Sequence, residues 1–153
     1  MSHPTPEQLG PPSLRLAFIQ IWVYGRQFPD APDKWDGNWL NVLVHCGKDG
    51  ASVWAEGAIL DTVALSRFRD DLDRMYRTLT GVAVLESDEP NVKARVEASD
   101  RAGHLRVRVD ITPDNASQGH WFEFEADQSY LPPIDQLDSL LRAFPVRGIE
   151  NDR

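Results

Sequence analysis

VKARVEASDRAGHLRVRVDI, residues 92–111, reads as two strands folded back on one another. Val92, Ala94, Val96 and Ala98 alternate with Lys93, Arg95 and Glu97, and Leu105, Val107, Val109 and Ile111 alternate with Arg106, Arg108 and Asp110. A period of two places each apolar set on one face and each charged set on the other. Asp100 and Gly103 supply the turn between them. A hairpin with one greasy and one charged face belongs to an antiparallel sheet that is wet on one side, with opposite charges meeting across the strands.

Working outward, HWFEFEA at 120–126 adds another strand, with Phe122 and Phe124 on one side and Trp121, Glu123 and Glu125 on the other. Continuing that face, Asp127 extends a row of carboxylates. Upstream, Leu40, Val42, Val44 and Cys46 alternate with Asn41, Leu43 and His45, and GKDG at 47–50 offers a turn with two glycines suited to positive φ. Ser52 to Ile59 forms the return strand. Leu14 to Tyr24 is apolar at nearly every position, which predicts one strand buried on both faces at the centre of its sheet.

Two helices complete the pattern. Leu65, Phe68, Leu72, Met75, Tyr76 and Leu79 recur at steps of three and four, with Asp61 or Thr62 as N-cap and Gly81 as terminator. Pro133 suits a first helical turn, and Ile134, Leu137, Leu140, Leu141 and Phe144 form a second stripe that stops at Pro145. The expectation is an α+β fold: one antiparallel sheet of about six or seven largely hairpin-linked strands, with two helices packed on one face. Residues 1–12, with four prolines, read as a flexible tail, 13–149 as one domain and 150–153 as a C-terminal tail.

The 153 residues carry a net charge of −8, which disfavours binding to phosphate backbones and suits a basic partner. A lone cysteine, Cys46, and the lack of a secretory leader pattern point to the cytoplasm, and no apolar run is long enough to span a bilayer. Neither nucleic acid nor membrane is therefore an expected partner, and no cofactor or metal site is expected. Nucleotide-loop, zinc-protease and nucleophile-elbow motifs are missing. His3 falls in the tail, while His45, His104 and His120 are spread over three strands without ligand-like spacing.

DKWDGNWLNV, residues 33–42, sets Trp35 and Trp39 on either side of a turn-forming Asp36-Gly37-Asn38. Such rings either close a core at a loop or anchor a partner. Trp121, among acidic side chains, is the stronger anchor, and Trp121, Glu123, Glu125, Asp127 and Trp35 form the candidate partner-binding set. No catalytic residue stands out.

WDGNWLNV at 35–42, ALSRFRDDL at 64–72, FEFEADQSYL at 122–131 and LDSLLRAFP at 137–145, in this order and spacing, resemble the WapI-type family of small bacterial proteins, many of them immunity proteins. The resemblance implies a cytosolic, non-enzymatic protein that binds the toxic C-terminal domain of a polymorphic, contact-delivered toxin, for the family's namesake one similar to a tRNA-cleaving nuclease. It carries over no toxin-contacting residue. A second reading is a small-molecule or metal-binding domain, with or without enzymatic activity, built on His45, His120 and the carboxylate row. A third is self-association into a homodimer through an exposed sheet edge.

Overall fold

The computed structural model describes residues 5–128 and 133–148. The tail at 150–153, His3 and Ser129–Leu131 of the third family-like block lie outside them. Eight strands form two antiparallel sheets of four, not a single sheet of six or seven. The first sheet runs β1 (Leu14–Leu16), β2 (Ile19–Arg26), β3 (Trp39–Lys48) and β4 (Ala51–Asp61), and the second β5 (Val82–Glu86), β6 (Val92–Ala98), β7 (His104–Ile111) and β8 (Trp121–Asp127). Hairpin links specify neighbours within a sheet, but the long helix after β4 ends one ladder and starts another.

The apolar run at 14–24 is not one central strand. Ala17 takes a left-handed φ of 52°, the chain reverses there, and Leu14 pairs with Ile21, so β1 is an edge strand. Continuous apolarity hid the turn, because Ala17-Phe18 carries none of the usual turn residues. VAVLE at 82–86 forms β5, a strand absent from the sequence reading.

The long helix α2 (Thr62–Thr78) starts as expected. The Asp61 side chain accepts from Ala64 N at 2.7 Å, while burial, then nearby Asp88, raises the Asp61 carboxyl above its ordinary range. Its end differs: Leu79, not Gly81, takes the left-handed cap with φ 55°, its N–H donating to Met75 O. Leu65, Phe68, Leu72 and Met75 are buried, and α3 (Pro133–Ala143) adds Leu137 and Leu140. Both sheets' inner faces and both helices share one hydrophobic cluster: the sheets meet directly, β3 with β8 and β4 with β6 and β7, while α2 packs on β5 and β4 and α3 on β1.

At the β3–β4 turn, Asp49 and Gly50 take φ values of 51° and 89°. This two-residue turn with positive φ at both positions suits the strand twist. Gly47, expected in that turn, stays in β3, where a Cβ would lie 2.8 Å from Ala51 O. Within the stretch read as a tail, Pro6–Leu9 form one helical turn, α1, closed by a reciprocal Thr5–Gln8 capping box. Beyond α1 the chain meets the first sheet: Trp22, on the face away from the core, donates from Nε1 to Gly10 O at 3.2 Å, and Val23 N to Ser13 Oγ at 3.0 Å.

Candidate functional site

The outer face of the second sheet gathers most of the expected partner-binding residues. Register places Glu86, Lys93, Asp110 and Trp121 in one row across four strands, Arg95, Arg108 and Glu123 in the next, and Glu97, Arg106 and Glu125 in a third. Asp127 faces His104 at the end. The alternation of β6, β7 and β8 therefore delivers the charged grid their sequences imply.

Most of these charges answer one another. Lys93 Nζ lies 3.4 Å from Glu86, Arg95 reaches Glu97 at 3.8 Å, and Arg108 reaches Asp110 at 3.2 Å and Glu123 at 3.6 Å. One register position sets like charges opposite, Arg95 against Arg108, and the acids on either side offset it. Trp121 is 59% exposed, and the Arg108 guanidinium sits 4.8 Å from its ring centroid. That stack already uses part of Trp121's cation-binding capacity. What stays exposed is an ordered surface carrying the Trp121 ring, Arg106 and Glu125.

Trp35 stands apart, in the loop before β3. Asp33 Oδ1 accepts from Trp35 N at 2.9 Å and Asp36 N at 2.7 Å, and these donors, Asp36 first, hold the Asp33 carboxyl below its ordinary range. A Cβ on Gly37 would come 2.3 Å from Ala31 O, so only glycine fits this turn. Trp35 is 71% exposed, whereas Trp39 is half-buried where β3 begins. The two tryptophans thus divide the roles that residue type left open, one ring displayed and one packed.

Sequence reasoning missed the residue that holds this region together. Asn38 is 1% exposed. Its Nδ2 donates to Lys34 O (3.2 Å) and Arg147 O (3.0 Å), and its Oδ1 accepts from Thr62 Oγ1 (2.9 Å) and Arg147 N (2.8 Å). Arg147 in turn donates from Nη1 to Pro29 O and Ala31 O. Partners more than a hundred residues away leave no local signal.

The histidines do not converge. His104 and His120 stand at opposite ends of the β7–β8 ladder, about 20 Å apart at strand rise, and His45 lies in the other sheet. Asp100, 2.6 Å from His104 Nδ1, raises the His104 imidazole above its ordinary value. His45 Nε2 lies 2.7 Å from Ser52 Oγ, and its ring packs 4.4 Å from that of Trp54. This pair is a poor nucleophilic dyad, because His45 Nδ1 is buried without a hydrogen-bond partner among the described residues and so lacks an orienting acceptor. Burial also pushes the Cys46 thiol up to about 12, far from thiolate reactivity at neutral pH.

Burial lowers the His45 imidazole below its ordinary value. As pH falls, the unfolded chain therefore takes up this proton first, so the stability held by neutral His45 is full above the unfolded value, near pH 6.5, and declines below it. Melting temperatures of wild type and His45→Gln should accordingly converge between pH 7.5 and 5.5. Parallel curves would remove His45 as their source.

Among the described residues, no group of three or more His, Cys, Asp or Glu could hold a metal ion, and no helix is long and apolar enough to cross a membrane. No curated protein and no solved structure matches the chain. A family model, the immunity protein WapI-like family, matches residues 13–145, from the start of β1 to the proline after α3. Most of the sequence is thereby covered, and the chain belongs to the WapI-like immunity protein family.

Proposed function

We propose that this protein protects the cell that makes it by binding the C-terminal domain of a polymorphic toxin, a basic nuclease acting on tRNA, and that it does so in the cytoplasm without catalysing a reaction. Family membership over 13–145 carries this reading. The outer face of the second sheet is the contact surface we favour. Its Trp121, Glu123, Glu125 and Asp127 stand along one strand, β8, held in its ladder with β7, so little backbone freedom is lost on docking. Acidic groups beside an exposed indole suit a basic surface, speeding encounter and favouring its own partner over others.

The experiment needs a toxin module, and the first place to take one from is the C-terminal part of any large secreted protein encoded beside this gene. Wild-type protein should bind that module and block its nuclease activity, and Trp121→Ala combined with Glu123→Ala should weaken binding on the order of tenfold or more, as loss of an interfacial hot spot does. A wild type that leaves the nuclease active would end the immunity reading. Unchanged affinity in the double variant would move the contact off this face.

A further inference from the structure

The first sheet carries a second, smaller apolar patch on the face turned away from the shared core. Trp22 is 6% exposed and Leu43 2%, yet neither belongs to the cluster that the sheets and helices share. Register sets Trp22 opposite Leu43 and His45 opposite Trp54, so these four side chains lie together on the outer face. The Trp22 and Trp54 rings stack with centroids 6.1 Å apart, one reaching from β2 and the other from β4 over the strand between them. Tyr24, two residues along β2 from Trp22, is 58% exposed.

Residues 5–13 reach this patch from outside the strands. The carbonyl of Gly10, which accepts the Trp22 indole N–H at 3.2 Å, stands immediately before Pro11-Pro12. Two successive prolines offer no N–H to a strand ladder, and such a segment loses little freedom when held extended. Aromatic-lined surfaces take up proline-rich segments in this way, and an indole N–H needs an acceptor once its ring is covered. The segment holds itself together only weakly. α1 is four residues long, its Thr5–Gln8 capping bonds are internal to it, and a single helical turn is unstable by itself. The part of the chain that matches the family begins at residue 13, so residues 5–12 lie outside it.

We infer that the Trp22–Trp54 face is a docking site for proline-containing protein segments, occupied here by the chain's own residues 5–12 as an exchangeable strap. The covalent tether keeps the strap at an effective concentration on the order of millimolar, so the site stays closed to weak competitors. A segment that replaces it must present a carbonyl followed by prolines, the feature that Trp22 engages in Gly10-Pro11-Pro12. The inference goes beyond the immunity reading and does not rest on it, since it concerns the first sheet and a different chemistry from the charged face of the second.

The test needs no toxin. In the full-length chain, residues 6–12 are replaced by an equal length of glycine and serine, and the ¹⁵N-labelled protein is titrated with the peptide Ac-Thr-Pro-Glu-Gln-Leu-Gly-Pro-Pro-Ser-NH₂, the sequence of residues 5–13. The Trp22 and Trp54 indole resonances should shift saturably. Wild type should respond at least about tenfold more weakly, because its own strap competes, and a peptide with alanine for the last two prolines should lose about tenfold in affinity. Equal binding of the two peptides, unmoved indole resonances, or equal responses of variant and wild type would each overturn the proposal. Hydrogen exchange on the wild type decides the matter even if the variant does not fold. The Trp22 indole N–H should exchange about a hundredfold or more faster than the amides of β7, through local lifting of the strap. Exchange no faster than that of β7 would make residues 5–12 a fixed part of the fold and end the inference.

Discussion

Replacing Asn38 with alanine is expected to destabilise the protein by about 3 kcal/mol, a fall of roughly 10 °C in melting temperature for a chain of this size. Four hydrogen bonds meet on this one buried amide, joining the Trp35 loop, the first residue of α2 and Arg147 beyond α3. Alanine removes both the donor and the acceptor and leaves two backbone carbonyls, a backbone N–H and the Thr62 hydroxyl short of a partner. Thr62 is itself fully buried, so water cannot easily replace the lost bond. Calorimetry on Asn38→Ala beside Asn41→Ala, an exposed position on β3, separates this network from a general effect of losing an amide. A drop of less than about 3 °C would mean that the network contributes little. The same variant should also loosen the Trp35 loop, which Asn38 ties to Arg147.

Phe68→Ala is expected to have a larger effect, about 3–5 kcal/mol, as truncation of a fully buried aromatic does. Phe68 is 0% exposed, halfway along α2, in the cluster to which both sheets contribute. Removing its ring opens a cavity where helix and strands meet. Urea denaturation should show a lower midpoint with an unchanged slope. Phe68→Leu retains a branched side chain and should lose less than half as much, which keeps the expectation testable if the alanine variant does not fold. A loss below about 1 kcal/mol for Phe68→Ala would place the main core elsewhere.

Legibility followed the range of the interactions involved. Trp121, Glu123 and Glu125 were readable as one face because alternation is a property of consecutive residues, and the Asp100–Gly103 turn because its residues bond to their own neighbours. Asp61 was readable as a cap for the same reason. Ala17 was not readable as a turn, because neither its side chain nor that of Phe18 favours a reversal, and β5 was hidden by its brevity. Trp35 could be picked out as unusual, but its exposure could not, since an indole in a turn is equally able to fold inward.

Local order along the chain thus specified most of the strands and their two faces, the two long amphipathic helices and the resemblance that family membership bears out. Long-range packing alone decided that eight strands divide into two sheets sharing one core with the helices, that Asn38 joins segments over a hundred residues apart, and that Asp61, Glu86 and Asp88 meet at one cleft beside Trp35. The reason is geometric: a two-residue period records which way a side chain points, but nothing in it records which distant surface that side chain will meet.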